Sequence, residues 1–135
     1  MVCMKWRILV VVMRKIILMI VLVTAGSSVV WAGEWEEGIA AFDRQDYKTA
    51  FEKFKKLTRQ GFAPAQSHLG VMYDKGQGVP QDYAEAVKWY RLATQQGDVL
   101  AQSHLGVKYD KGQGVSQDYA EAAKWYRLAA QQGDA

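Results

Sequence analysis

The sequence predicts an all-α fold, a solenoid of stacked antiparallel helix pairs, and three observations carry that expectation. The stretch from Ala65 to Val99, AQSHLGVMYDKGQGVPQDYAEAVKWYRLATQQGDV, returns 36 residues later as Ala101 to Ala135 and differs at only five of 35 positions: Met72/Lys108, Pro80/Ser116, Val87/Ala123, Thr94/Ala130 and Val99/Ala135. Within each copy the apolar residues recur three and four apart, the spacing of a helix with one buried side. Between the two periodic stretches of a copy lies Gly76-Gln77-Gly78-Val79-Pro80, a run of breakers that reads as the turn of a hairpin. Repetition at this period means an array in which each unit leaves an apolar face for its neighbour to cover.

Taken in order, residues 1–32 read as a secretory signal. They hold Lys5, Arg7, Arg14 and Lys15 but no acidic residue, then an apolar run from Ile16 to Val23, then small and polar residues up to Val30-Trp31-Ala32 ahead of Gly33. The run of eight is too short for a bilayer, which needs about 20 apolar residues. A second apolar run, Ile8 to Met13, precedes Arg14 and Lys15, and reading from Met13 gives a more regular signal. The competing reading is an uncleaved anchor over Ile8 to Val23, which would bury two cations at roughly 2.5 to 3.5 kcal/mol each.

Charge and cysteine follow from that division. All 14 acidic residues lie after residue 32, with 13 of the 17 basic ones, so the mature chain carries about one negative charge. Nucleic acid is therefore not an expected partner, because no clustered basic surface is present to meet phosphates. The single cysteine, Cys3, lies within the signal, and the exported chain needs no disulfide.

Residues 33–64 form a divergent first unit with a shortened loop. At the 36-residue shift Tyr47, Ala50, Phe54 and Gly61 fall on Tyr83, Ala86, Tyr90 and Gly97. Helices are expected at about 34–43, with Trp35, Ile39 and Phe42 on one stripe, and at about 46–60, with Tyr47, Ala50, Phe51, Phe54 and Leu57 on another.

Residues 65–100 and 101–135 are the two full units. The first helix, about 65–75, puts Ala65, Leu69 and Tyr73 on one face with Met72 at its flank, and Gly76 stops it. Gly70 inside that helix costs about 1 kcal/mol relative to alanine, so its expected use is to admit a close neighbour. Asp82 and Glu85, repeated as Asp118 and Glu121, have the spacing of a capping box at the start of the second helix. Tyr83, Ala86, Tyr90 and Ala93 make that helix's buried stripe, widened by Val87 and Trp89.

The pattern A-x3-L-G-x2-Y-x2-G-x-G-V, continuing through D, A, W-Y and A-A to G, stands in Ala65 to Gly97 and again in Ala101 to Gly133. It resembles the Sel1-like repeat, a relative of the tetratricopeptide repeat, and residues 33–64 resemble a degenerate unit of the latter kind. The resemblance implies a right-handed α-solenoid that binds other proteins, in bacteria often an exported one. An envelope protein is then the expected partner, in the periplasm or outside the cell, with no cofactor and no catalysis. The alternative implied by cysteine-rich Sel1-like proteins is binding or hydrolysis of β-lactams or cell-wall fragments, although those chains rely on disulfides that this one lacks.

Candidate chemistry is sparse. His68 and His104 occupy one slot in successive units, but helices pack about 8 to 10 Å apart and zinc needs about four close ligands. A metal site is not expected, and each histidine is expected on the exposed side of its helix or on a backbone carbonyl. Ser67 and Ser103 stand beside them, yet adjacent helical residues do not face each other, and Ser-x-x-Lys is absent. The Gly76-x-Gly78 and Gly112-x-Gly114 loops follow helices rather than strands, so they are turns and not phosphate cradles. What remains is surface: the side of the first helix opposite Leu69 carries Ser67, Val71, Asp74 and Lys75, repeated as Ser103, Val107, Asp110 and Lys111, and the resemblance to the Sel1-like repeat implies that these line a concave groove for a partner. The changes Met72 to Lys108 and Val87 to Ala123 look like loss of apolar area in a terminal unit. Trp125 and Tyr126 remain there, either packed within their own unit or offered as an end face for docking or self-association.

Overall fold

The computed structural model describes residue 13 and residues 30–133. Residues 1–12 and 14–29, most of the expected signal with its apolar run from Ile16 to Val23, therefore lie outside the described residues. The chain divides into two compact units, Met1–Gly33 and Glu34–Ala135, and the architecture that follows is that of the second. Among the described residues, no helix is long and apolar enough to cross a membrane.

Six helices and no strand make up the described part of this unit: α1, the part over residues 34–43 of a helix whose described residues begin at 30, α2 Tyr47–Thr58, α3 Ala63–Lys75, α4 Tyr83–Thr94, α5 Val99–Lys111 and α6 Tyr119–Gly133. Each helix packs on the next, most extensively within the hairpins α3–α4 and α5–α6, and α5 also reaches back to α3. This is an all-α repeat solenoid, as the period predicts.

From α2 to α5 the apolar stripes are buried or half-buried where the spacing puts them, whereas in α6 Ala122 and Ala129 are buried but Tyr119 and Tyr126 are exposed. One cluster joins Ala41, Ala50, Phe54, Leu57, Ala65, Leu69 and Met72, and a second joins Val71, Ala86, Val87, Tyr90, Ala93, Ala101 and Leu105. Every unit repeats one close contact, in which an aromatic ring of the second helix lies against a glycine of the first. A Cβ added at Gly70 would sit 2.5 Å from Tyr90 Cε1, one at Gly38 would sit 2.8 Å from Phe54 Cε1, and one at Gly106 would sit 2.7 Å from Tyr126 Cε1.

The turns are built from helix ends. Gly76 and Gly112 take the left-handed conformation that stops α3 and α5, with φ of 65° and 63°. The capping boxes form only by half. Asp82 accepts from Glu85 N at 3.0 Å, and Asp118 from Glu121 N at 3.0 Å, but the reciprocal bonds are not made. The Asp82 and Asp118 amides donate instead to the carbonyls of Tyr73 and Tyr109, tying each second helix to the end of the first. Glu85 and Glu121 are thereby free to pair with Lys88 and Lys124.

Candidate functional site

The contact between the last two hairpins decides which side chains are available to a partner. Asp98 begins it: its carboxylate caps α5 by accepting from Ala101 N at 2.8 Å and also accepts the Ser67 hydroxyl at 2.6 Å. Ten residues on, Lys108 points back to Asp74, forms an ion pair with it and donates to Gln113 Oε1 at 2.8 Å. Its ammonium also lies 4.6 Å from the centre of the Tyr83 ring, within cation–π range. Between these two, His104 stacks on Tyr90, ring centres 5.1 Å apart and planes within 4°. Burial lowers the His104 pKa below its ordinary value of 6.5; the Asp74 carboxylate opposes that shift and the Lys108 ammonium adds to it. The buried Tyr90 hydroxyl, 3.4 Å from Asp74 Oδ2, has its own pKa pushed upward by burial and by the same carboxylate.

This geometry corrects the expected groove. Ser67 is fully buried and Val71 belongs to the second core cluster, while Asp74 is held by Lys108 and Tyr90. These three join hairpin to hairpin and do not line an open surface. The physical reason is that α5 crosses the side of α3 opposite Leu69, the side the repeat pattern leaves polar. Their counterparts on α5 are less enclosed: Ser103, Val107 and Asp110 are half-buried, and Lys111 is exposed like Lys75. Ser103 donates to Val99 O at 3.1 Å.

Lys108 is also placed differently from expectation, at 3% exposure. It is an internal charge matched to Asp74 rather than a mark of a solvent-facing terminal unit. The first contact explains the change. Aligned on the ring-on-glycine contact, the residues four places after Gly38, Gly70 and Gly106 are Phe42, Asp74 and Asp110. Where the preceding unit offers Phe42 the next carries Met72, and where it offers Asp74 the next carries Lys108. Val87 and Ala123 do follow the terminal-unit expectation, since Val87 is buried and Ala123 exposed.

The histidines are packing residues here. His68 Nδ1 lies 2.9 Å from Pro64 O, and its ring meets Trp35, Phe42 and Phe54. Among the described residues no group of three or more His, Cys, Asp or Glu converges on a metal-sized site. The Gly-x-Gly loops serve the stack: Gly78 lies against the carbonyl of Tyr47 and Gly114 against that of Tyr83, each too close to admit a Cβ. That role was hidden in the sequence, because nothing there shows which backbone a glycine faces.

At the far end Trp125 is half-buried and packs against the second core cluster, with its Nε1 buried and without a partner among the described residues. Tyr126 lies over Gly106 but stays 40% exposed, and Tyr119 is 66% exposed.

The model of the Sel1 repeat matches residues 63–98 and 99–134. No curated protein matches the chain. Among solved structures, a Sel1 repeat protein from Oxalobacter formigenes is similar at 39% identity and a TM-score of 0.69, over 73% of this chain and 40% of that one. The protein c5321, a protective antigen of uropathogenic Escherichia coli strains with an SLR fold, is similar at 41% identity and 0.74, over 81% and 24%. Helicobacter pylori cysteine-rich protein B is similar at 26% identity and 0.59, over 62% and 63%. The chain thus spans less than two thirds of the length of each. Sel1 repeats generally mediate protein–protein interaction, and the fold is typically a non-catalytic scaffold. With two such repeats covering more than half of its length, the protein belongs to the Sel1 repeat family.

Proposed function

We propose that this protein is exported, to the periplasm or beyond, and works there as an adaptor that binds an envelope protein along its stacked helices. The observation that carries the reading is periodic exposure on a rigid frame. Lys75 and Lys111 are exposed at the same place in successive repeats, with half-buried Val107 and Asp110 beside the second, so a partner meets the same chemistry one repeat apart. Export is supported by the basic start, the short apolar run and the small residues before Gly33.

The hydrolase alternative has less support at the two serines that stand beside the histidines. The Ser67 hydroxyl is buried and committed to Asp98, and Ser103 bonds a carbonyl of its own helix. Affinity capture from native envelope with the full chain as bait tests the adaptor reading. The expected result is a saturable partner whose binding falls when Lys75 and Lys111 are both changed to glutamate. Unchanged capture by that double variant would remove the repeated lysines from the interface, and a thermal shift with β-lactams or cell-wall fragments alone would favour the alternative.

A further inference from the structure

The exposed end of the last hairpin repeats, position by position, a face that is covered elsewhere in the same molecule. On α3 and α4 that face consists of Ser67, Asp74, Tyr83, Tyr90 and Arg91, and α5 lies on it. Its contacts are specific: Asp98 on Ser67, His104 on Tyr90, Lys108 on Asp74 and over Tyr83, and the Tyr109 hydroxyl accepting from Arg91 at 3.0 Å. On α5 and α6 the counterparts are Ser103, Asp110, Tyr119, Tyr126 and Arg127.

These counterparts are arranged as their covered equivalents are. Tyr126 lies on Gly106 as Tyr90 lies on Gly70. The Asp110 carboxylate is near enough to push the Tyr126 hydroxyl upward in pKa, after burial, as Asp74 does at Tyr90. What differs is cover: Tyr90 is fully buried and Tyr126 is 40% exposed. Among the described residues, the Asp110 carboxylate has no cationic partner.

We infer that this end face is a docking site for a further helical hairpin, one whose first helix carries an aspartate at its N-cap, a histidine six residues on and a lysine ten residues on. The occupant's chemistry is read from α5, where Asp98, His104 and Lys108 have that spacing and fill the equivalent face. The lysine would pair with Asp110, the histidine would stack on Tyr126 and the capping aspartate would take the Ser103 hydroxyl. A Gly-x-Gly turn after the helix would lie against the Tyr119 carbonyl, as Gly114 lies against that of Tyr83. A second copy of this chain does not fit through its first hairpin, because in the alignment set by Gly38 and Gly106 the lysine position falls on Ala40 and the histidine position on Glu36. The inference rests on the protein-binding reading above, but it concerns a different surface from the repeated lysines.

The test titrates a synthetic hairpin with the sequence of residues 97–133 into the full chain. Saturable one-to-one binding is expected, at least about tenfold weaker when the chain carries Asp110→Ala or the hairpin carries Lys108→Met. Binding indifferent to both changes would mean the hairpin displaces α5–α6 instead, and would overturn the inference. Because a free hairpin of this length folds poorly on its own, a second arm appends residues 100–134 after Ala135 of the full chain, so that the added histidine and lysine stand six and ten residues after Asp134. Docking there should raise the melting temperature and remove Tyr126 from solvent, with both effects lost on Asp110→Ala. Failure of both arms overturns the inference, while sensitivity of envelope capture to the lysine pair would leave the adaptor reading standing.

Discussion

At the scale of single residues, the glycine beneath each aromatic ring and the histidine between hairpins respond in calculable directions. Gly70→Ala forces a methyl to 2.5 Å from the Tyr90 ring, which is fully buried and has nowhere to move. The gain of about 1 kcal/mol in helix propensity is outweighed by overpacking of roughly 1 to 3 kcal/mol. Gly106→Ala makes the same clash with Tyr126, whose exposed ring can swing outward, so it should cost less, and denaturant unfolding of the two variants checks the order. His104 gives a pH dependence. Its folded pKa lies below its ordinary 6.5, so at moderately acid pH the unfolded chain binds the extra proton and the folded one resists it. Its contribution to stability is therefore present above about pH 6.5 and is lost as pH falls toward the lowered folded value. Melting curves from pH 7.5 to 5 should fall less steeply for His104→Phe, which keeps the stack on Tyr90 without a titrating group.

At the scale of the element, α5 shows what was legible and what was not. Its existence, its Gly112 stop and its buried Ala101 and Leu105 follow from the repeat and the three-and-four spacing. The first helices show why a groove could not be drawn from spacing alone. The side opposite Leu69 is polar in composition, yet polarity there reflects bonds between hairpins, and sequence periodicity cannot distinguish a side chain bonded to a neighbour from one in water. The same limit hid Lys108, since a lysine replacing a methionine looks like a surface change until Asp74 is seen opposite it. The N-cap makes the element testable. Asp98→Ala removes both the Ala101 bond and the Ser67 bond, and should lower stability by roughly 1 to 3 kcal/mol, more than an ordinary cap at about 1. The equivalent position before α3 is Phe62, which makes no side-chain cap; Phe62→Asp should therefore not destabilise through capping, although the contact of Phe62 with Trp35 would be lost.

At the scale of the whole molecule, the two junctions between successive units solve the same stacking problem with different chemistry, an apolar cluster that holds Phe42 and Met72 in the first and the pair of Asp74 and Lys108 in the second. An apolar pair tolerates a range of neighbours, whereas an internal charge tolerates only its complement. In an array whose last two units are nearly identical, that difference assigns each hairpin to its place: α5 with Lys108 on the face of α1 and α2 would set an ammonium against Phe42, and α3 with Met72 on the face of Asp74 would strand a carboxylate. Register is thus held by a charge match that the repeat pattern alone would leave degenerate. Removing one partner should cost far more than removing both. Lys108→Met alone leaves Asp74 largely buried without its cation and should lower stability by about 3 kcal/mol or more, whereas Asp74→Leu with Lys108→Met should recover most of it. The recovered variant should then lose specificity rather than stability, with slower or multiphasic refolding as misregistered stacks compete. Equal stability of the single and double variants would show that the pair does not act as a unit, and single-phase refolding of the double variant at the wild-type rate would show that register is set elsewhere, by the ring-on-glycine contacts that all three units share.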